Sequence, residues 1–375
     1  MASVLSVGIE MLTSEKTPEI SQEESKRISV LKVWLSVMVV FIHSYGSNLN
    51  FVGETVYIDT PLWLEILKYA VSEVLSRVAV PSFFFLSAYF LYRKRCLWRE
   101  NILKKIRTLA VPYLILNTFW IVVFFVAQQI PQLSHFFANP ENRVANWGLR
   151  DWLIHYIGSR DNFAPLLYPL WFVRNLFLLN LLAPVFSWFV KKAKAFSAVF
   201  FVALWLVLES THVFFMDVQS ICFWGLGCFF AISGISLSSL DRHKTALAVS
   251  YPILVVATCL MHVNPGFLEL ITKRACYLIG AAFWLVFTTK IKNERMQSIL
   301  LFISGYSFSI YLFHEMGLSI IRKVLTRIFP HTVFFAVFLY FVMPIIIISL
   351  CLVISRLMEK FVPKIYRIIT GGRSK

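Results

Sequence analysis

Charged residues are scarce in this sequence, and their scarcity excludes an ordinary soluble protein. Only 15% of the 375 residues are charged, whereas 58% are hydrophobic, and the mean hydropathy is +0.71. A soluble chain of this length could not bury so much apolar surface, so lipid must be the solvent for most of it.

Paired cysteines and a secretory signal are lacking too. The six cysteines form no CxxC pair and fall mostly within apolar runs, which predicts buried free thiols, no disulfide framework and no metal site. The first 27 residues are polar and contain no cationic start followed by a short apolar run, as a signal peptide would. Acidic residues are also few, and the net charge is +16. In such an apolar chain, basic loops facing an anionic inner leaflet explain this charge better than a nucleic acid partner does.

Apolar runs long enough to span a bilayer recur about ten times. They predict an all-α polytopic integral membrane protein, a bundle of about ten transmembrane helices. The predicted spans are 29–47, 71–92, 107–129, 169–190, 196–214, 219–236, 246–262, 275–290, 299–320 and 332–356.

Lysine and arginine concentrate in alternate loops, and this bias predicts that both termini are cytoplasmic. Residues 1–28 are then a cytoplasmic tail, 29–356 the transmembrane domain, and 357–375 a basic tail lying at the inner interface. The bias does not explain the outer cluster Arg322, Lys323 and Arg327. The one long outer loop, 130–168, is of a length more typical of a functional segment or lid than of a simple connector.

The first apolar run, SVLKVWLSVMVVFIHSYGS, carries two groups that are costly in lipid. Lys32 and His43 are eleven residues apart, which places them on nearly the same helix face and roughly 16 Å apart along the axis. Ser36 and Ser47 share that face. Ionisable groups inside a span indicate function by default, so we favour a functional His43 over a merely hydrogen-bonded buried histidine.

Three further spans carry ionisable groups at a similar depth in the outer half of the bundle. They are Arg77, Arg174 of PLWFVRN, and His314 with its neighbour Glu315. Because isolated charges at such depth would each cost about 3 kcal/mol or more, we expect a shared, water-accessible cavity.

The ninth span, GYSFSIYLFHE, has a polar stripe formed by Ser304, Ser307, Tyr311 and His314. Interhelical hydrogen bonding explains the serines well. For His314, structural and functional interpretations both stay open.

Cations are dense at the inner end of the third span, in RKRCLWRENILKKIRTLAVPY. Positive-inside bias suffices for most of them. Lys104 and Arg107 share a helix face, with Lys105 beside them, and this group could receive a phosphorylated ligand from the cytoplasm.

Five motifs in this order resemble the membrane-bound acyltransferase 3 family, whose members O-acylate cell-surface glycans. They are RISVLKVWLSVMVVFIHS, VAVPSFFFLSAYFLYRK, KKIRTLAVPY, PLWFVRNLF and YSFSIYLFH. The family places an Arg eleven residues before the first-helix His, where this chain has Lys32. Ser29 stands where the family often has an acidic residue, and Ala88 replaces a Gly. A lysine keeps the charge but loses the bidentate geometry of a guanidinium.

The resemblance implies a membrane O-acyltransferase, in the first instance an O-acetyltransferase, of the bacterial cytoplasmic (inner) membrane. The donor would be acetyl-CoA or another acyl-CoA, and the acceptor a hydroxyl of a cell-surface or lipid-linked glycan. Membrane lipid is a further partner, whereas no cofactor or metal is permanently bound, and association into a homo-oligomer stays open.

Site residues follow from the motifs and the residue pattern together. His43 acts as general base or first accepts the acyl group, and Arg77 or Arg174 stabilises the oxyanion or fixes the acceptor. The remaining predictions fall into three groups: catalytic Lys32 and His314; donor-binding Lys104, Lys105, Arg107 and Lys32; acceptor-binding Trp171, Tyr311, Ser307 and Glu315.

A proton-coupled transporter or exporter is the alternative, with His43, His314 and Glu315 as a proton relay. We find no paired interrupted spans in matching halves of the sequence, which counts against this alternative. A purely structural membrane protein would leave the converging charges unexplained.

Overall fold

The protein is a helical bundle. Some of its apolar helices are long enough to cross a membrane, whereas others are shorter than the sequence predicts or are bent. The computed structural model describes residues 20–94, 96–137, 139, 142–158, 165–208, 212–213, 216–288, 291 and 293–373, and the chain is 81% helical. Most of the predicted N-terminal tail lies outside the described residues. The main helices are α1 Gln22–His43, α2 Leu62–Arg93, α3 Trp98–Gln128, α4 Leu149–Ile157, α5 Tyr168–Leu181, α6 Ala183–Ala193, α7 Ala195–Leu208, α8 Val218–Ile232, α9 Leu237–Met261, α10 Phe267–Phe287, α11 Glu294–Ser304, α12 Ser307–Ile328, α13 Val333–Phe361 and α14 Pro363–Ile369.

Helices occupy all ten predicted positions, but not all are full spans. Within the described residues, five are long and apolar enough to cross a membrane, namely α2, α3, α9, α10 and α13; each of two bent helix pairs could add one more. Two further apolar helices, α7 and α8, are shorter. The protein is therefore a multi-pass membrane protein, while the count of ten spans and the side of the termini stay predictions.

Two of the predicted continuous spans are wrong. The chain bends by 61° between α5 and α6 and by 68° between α11 and α12, so 169–190 and 299–320 are broken helices. Ser304 is consequently the last residue of α11, while Ser307, Tyr311 and His314 stay together on α12. Broken helices are also found in secondary transporters, so their supposed absence no longer argues against that alternative.

Helix α1 begins earlier and ends earlier than predicted. The Ser21 hydroxyl caps its first turn by accepting from the Glu24 backbone N–H at 3.1 Å, a typical N-cap contact. The helix ends at His43, so Ser47 lies beyond it and does not continue the polar stripe.

Two short hairpins interrupt the otherwise helical chain. Strands β1 Asn48–Phe51 and β2 Glu54–Tyr57 pair antiparallel directly after α1, and Gly53 in their turn takes φ +83°, a conformation that favours glycine. Strands β3 His212–Val213 and β4 Met216–Asp217 form the second hairpin before α8.

Close packing of α2 against α8 depends on a glycine. A Cβ at Gly227 would lie 2.2 Å from the carbonyl oxygen of Phe85 and 3.0 Å from Ala88 Cβ. Small residues at such positions let transmembrane helices approach closely. This contact fixes α2, whose first half carries Arg77.

The C-terminal segment is part of the bundle. Tyr366 of α14 is only 1% exposed, and its hydroxyl lies 2.8 Å from the Ser309 hydroxyl of α12. Helix α14 therefore docks on α12 through its aromatic side chain, whereas the assignment of 357–375 to a basic cytoplasmic tail at the inner interface stays a prediction.

Candidate active site

A pair of histidines from two helices forms the centre of the site. His43 is the last residue of α1, and its ring centroid lies 5.0 Å from that of His314 on α12, with 59° between the ring planes. Tyr168, at the start of α5, places its ring 5.8 Å from His43. The polar faces of α1 and α12 therefore meet here.

The protonation of His314 follows from its neighbours. Its Nδ1 lies 3.0 Å from the carbonyl oxygen of Ile310 and 2.8 Å from that of Tyr311. Carbonyl oxygens only accept, so in the neutral ring the proton is on Nδ1 and Nε2 carries a lone pair. His314 is fully buried, and among the described residues its Nε2 has no hydrogen-bond partner. The site thus contains a buried imidazole with a free acceptor nitrogen.

The carboxyl end of α1, and with it His43, is held by Arg322. This buried guanidinium donates through Nη1 to the carbonyl oxygen of His43 at 3.4 Å and through Nη2 to that of Gly46. The last carbonyls of a helix lack intrahelical partners, and a cation is favourable there. Arg322 therefore positions the backbone that carries His43.

The two other cations of the outer cluster hold the adjacent hairpin. Lys323 donates to the carbonyl oxygen of Phe136 at 2.5 Å, and Arg327 pairs with Glu54. Both side chains also lie over the ring of Phe51. These contacts explain why positive charge collects here against the general bias.

We expect Arg322→Met to lower both stability and activity. The substitution removes the charge-assisted hydrogen bonds to the carbonyls of His43 and Gly46, at a cost of about 1–3 kcal/mol, and frees the segment that orients His43. Thermal unfolding and acyl transfer in the same membranes would measure both effects. Arg327→Met on the same helix is the matched control, because an exposed ion pair contributes about 0–1 kcal/mol. Equal behaviour of the two variants would contradict the positioning role.

Arg77 lies at the rim of the histidine pair. Its Nη2 is 2.6 Å from Glu73, which also pairs with Lys273 at 3.3 Å. The charge of Arg77 acts on both His43 and Tyr168, and 41% of its side chain remains exposed. A guanidinium so placed is anchored by a carboxylate and keeps part of its surface uncovered by protein.

Arg174 is directed elsewhere. Its Nη1 donates to the carbonyl oxygen of Ile157 at 2.8 Å, and its Nε and Nη2 lie 3.3 Å from the amide oxygen of Asn175. These contacts tie the outer helix α4 to α5. Depth alone suggested that Arg174 would join the histidines, but its guanidinium bonds to Ile157 of α4 and to Asn175 beside it on α5.

Two of the predicted acceptor residues, Tyr311 and Trp171, are held by contacts with other parts of the protein. The Tyr311 hydroxyl donates to the carbonyl oxygen of Pro169, which fixes the segment carrying Tyr168. Trp171 is half-buried against Phe84, with ring centroids 6.2 Å apart.

Two of the predicted acceptor residues keep their hydrogen-bonding capacity. Among the described residues, neither the buried Ser307 hydroxyl nor the half-buried Glu315 carboxyl has a hydrogen-bond partner. Glu315 acts electrostatically on Tyr168, so it lies near the histidine pair.

Cations gather around the middle of α1, about three turns from His43. The Lys32 ammonium lies 5.3 Å from the ring centroid of Phe90. Lys105 is half-buried, whereas Lys104 and Arg107 are exposed. Across the part of the chain that the structure describes, none of these four forms an ion pair with a carboxylate. The predicted donor-binding residues therefore keep their positive charge uncompensated.

Sequence reasoning missed two residues of the site. Tyr168 ends a loop and immediately precedes the PLWFVRN motif, so nothing in helical periodicity pointed to it. Arg322 did leave a signal, because its outer position violates the positive-inside bias. The departure of Arg322 from the charge bias thus reflects its contact with the end of α1.

The geometry defines a multi-pass helical membrane protein built around a histidine pair, with cations about three turns away near the middle of the helix that ends at His43. A family model described as an acyltransferase domain matches residues 25–355, and the chain belongs to this family, acyltransferase 3. The chain is also similar to the succinoglycan biosynthesis protein ExoH of Rhizobium meliloti (strain 1021). The two are 24% identical over 363 residues, which cover 93% of each chain. No solved structure matches the chain significantly.

Proposed function

We propose that this protein transfers an acyl group, acetyl in the first instance, from cytoplasmic acyl-CoA to a hydroxyl of a cell-surface or lipid-linked glycan. The observation that carries the proposal is the pair formed by His43 of α1 and His314 of α12, with ring centroids 5.0 Å apart, together with Lys32 about three turns before His43 on α1. Family membership supports acyl transfer as the reaction.

The length of α1 fits an acyl-CoA donor. Lys32 and His43 are roughly 16 Å apart along the helix axis. The pantetheine arm of CoA corresponds to about four residue lengths of extended chain, or roughly 14 Å. Phosphates held by Lys32 and Lys105, with Lys104 and Arg107 at the mouth, would bring the thioester close to the histidines. Arginine and lysine are the usual phosphate ligands.

The histidines supply the proton transfers. In direct transfer, a glycan hydroxyl gives its proton to the free imidazole nitrogen of His43 while its oxygen attacks the thioester carbonyl. The C–S bond then breaks, and the CoA thiolate takes up the proton. In the alternative route, His43 first accepts the acyl group, releases CoA, and passes the acyl group to the hydroxyl. In both routes His314 Nε2 accepts a hydrogen bond from His43 or from the acceptor.

Charge that develops on the carbonyl oxygen needs a donor nearby. Arg77 is the better placed of the two predicted arginines, because its charge acts on His43 and its side chain is partly exposed. Positioned donors of this kind contribute several kcal/mol to a transition state.

The acceptor side faces the outer loop. Glu315 and Trp171 offer a carboxyl and an aromatic face, a combination suited to sugar hydroxyls and C–H faces. Ser307 is the first residue of α12, about two turns from His314 on the inner side, so its hydroxyl could reach only an acceptor that extends past the histidine pair. The relative ExoH is described as a succinoglycan biosynthesis protein, which supports a polysaccharide acceptor. A bacterial cytoplasmic membrane location agrees with a cytoplasmic donor and an acceptor on the outer face.

Acyl transfer in inside-out membrane vesicles tests the proposal. Radiolabelled acetyl-CoA or succinyl-CoA is supplied outside the vesicles, whose lumen contains the glycan of the native host. We expect label in the glycan only when the protein is present, and with one donor preferred. Absence of transfer from both donors would overturn the proposal.

A proton-coupled exporter remains the second candidate, because the two bent helix pairs are a feature of secondary transporters. The same vesicles separate the two. An exporter would move unmodified glycan or a small acid across the membrane and would leave acyl-CoA intact.

A further inference from the structure

The chain's last described residues form a turn that brings Arg373 back to the bundle. Helix α14 ends in two glycines with positive φ, +63° at Gly371 and +71° at Gly372. The Gly371 N–H bonds to the Ile368 carbonyl at 3.1 Å and the Gly372 N–H to the Arg367 carbonyl at 2.7 Å. This is the Schellman arrangement, which reverses the chain at a helix end.

The turn is pressed against α3 at Thr108. A Cβ at Gly371 would lie 2.4 Å from the Thr108 carbonyl oxygen, so only glycine fits. Arg373 donates through Nη1 to that same carbonyl at 3.0 Å, and its guanidinium lies 4.0 Å from the ring centroid of Phe308 on α12. Thr108 sits in a π-helical turn, an irregularity frequent at functional sites.

Arg373 joins the cations of the inner mouth. Its charge acts on Lys32 of α1 and on Lys105 of α3, and the charge of Lys94 acts on both as well. Among the described residues, no carboxylate pairs with Lys32, Lys105 or Arg373. Like charges brought together without a counter-ion are unfavourable, and a bound anion would relieve the repulsion.

The guanidinium also retains unused donors that point to a ligand. Only Nη1 of Arg373 makes hydrogen bonds within the described chain, to the carbonyls of Thr108 and Thr370. Nε and Nη2 remain available. A guanidinium held by one nitrogen and stacked on an aromatic ring is well oriented for a phosphate.

Phe308 connects this position to the histidine pair. Phe308, Tyr311 and His314 follow one another at three-residue steps on α12. Their rings are in sequence, 5.9 Å between Phe308 and Tyr311 and 6.3 Å between Tyr311 and His314. Arg373 therefore lies at the inner end of the helix face that carries His314, over Phe308, which is itself roughly 9 Å from His314 along the axis.

We propose that the Gly371–Arg373 turn is part of the donor site and that Arg373 binds a phosphate group of acyl-CoA together with Lys32 and Lys105. This proposal rests on the proposed function. It assigns a ligand-binding role to a C-terminal residue that no motif identified.

Binding of CoA to the purified full-length protein in neutral-lipid nanodiscs tests it, alongside the KM for acyl-CoA in the vesicle assay. We expect Arg373→Gln to weaken CoA binding and to raise KM about tenfold, since a charge-assisted hydrogen bond is lost. The value of kcat should change little. Arg373→Lys should recover part of the affinity because it keeps the charge.

Arg367→Gln is the matched control. It removes the same charge from the same segment, but its exposed side chain has no partner among the described residues. If Arg373→Gln and Arg367→Gln both bind CoA like wild type, the inference is overturned while the proposed function stands. If the wild type itself binds no CoA, the donor assignment of the proposed function falls, and the inference falls with it.

Substitutions at Gly371 and Gly372 test whether the close approach of the turn to Thr108 matters for CoA binding. Both have positive φ, but a Cβ at Gly372 would meet nothing within 4 Å. We expect Gly371→Ala to weaken CoA binding like Arg373→Gln, and Gly372→Ala to do so less. If both glycine variants weaken CoA binding equally, the close contact between Gly371 and Thr108 has no role in the site.

An anionic lipid headgroup has the same phosphate chemistry, so CoA binding is repeated in nanodiscs containing phosphatidylglycerol. If Arg373→Gln weakens CoA binding only in nanodiscs that contain the anionic lipid, Arg373 binds the lipid headgroup, and the CoA assignment is overturned.

Discussion

His43→Ala should reduce acyl transfer by about 10²–10⁴-fold, the contribution expected of a single general base. The same loss follows if His43 is the acyl acceptor, because alanine can neither take a proton nor form the acyl intermediate. His43 is half-buried at the end of α1, and its side chain makes no hydrogen bond within the described residues. Alanine is a good helix former, so folding should be little affected.

The measurement is transfer of radiolabelled acyl groups to glycan at equal amounts of membrane-inserted protein. His331→Ala is the control, because that histidine is exposed and, within the described residues, its Nε2 bonds to the backbone carbonyl of Thr326 alone while its ring lies 6.4 Å from that of Phe335. A His43→Ala protein that inserts normally and keeps more than about a tenth of the activity would rule out both catalytic roles.

The order of helices was predictable because membrane helices are defined by hydropathy, which is a local property of the sequence. Whether each helix runs straight through its predicted span was not predictable. The break between Ser304 and Ser307 occurs inside an apolar stretch with a single glycine at its centre, and such a stretch is equally consistent with a straight helix. Bends of this kind depend on packing against neighbouring helices, which the hydropathy profile does not contain.

The candidate site was partly predictable for a similar reason. His43 and His314 stand out because an imidazole in a span is costly, and a cost that evolution retains usually has a use. Which charges converge, however, depends on rotation of each helix about its axis. Arg77 and Arg174 looked equivalent by depth, yet Arg77 pairs with Glu73 within electrostatic range of His43, whereas Arg174 donates to the carbonyl oxygen of Ile157.

The cations at the inner end of the site show most clearly which residues a sequence can and cannot predict. Lys104, Lys105 and Arg107 were recognisable from local spacing. Arg373 was not, because its position depends on a glycine turn after α14 and on docking of Tyr366 more than 50 residues along the chain from its partner Ser309. Contacts between distant segments of the chain carry no local signal.

His314→Asn should slow acyl transfer by about 10–100-fold, the effect of losing one hydrogen bond to a charged group. Asparagine can still donate to the carbonyls of Ile310 and Tyr311, but it has no group where Nε2 lies. The variant therefore separates the acceptor nitrogen from the structural contacts. Wild-type activity would instead favour the interpretation of His314 as a buried histidine that only stabilises the helix.

Combining His314→Asn with His43→Ala shows whether the two imidazoles act as a unit. If His314 Nε2 works by accepting a hydrogen bond from His43, its removal cannot matter once His43 is gone, and the double variant should be no slower than His43→Ala alone. Residues that act together are strongly non-additive in this way. Losses that multiply would mean that His314 acts on the substrate independently of His43. The rings are 5.0 Å apart between centroids, within the range at which such coupling is expected.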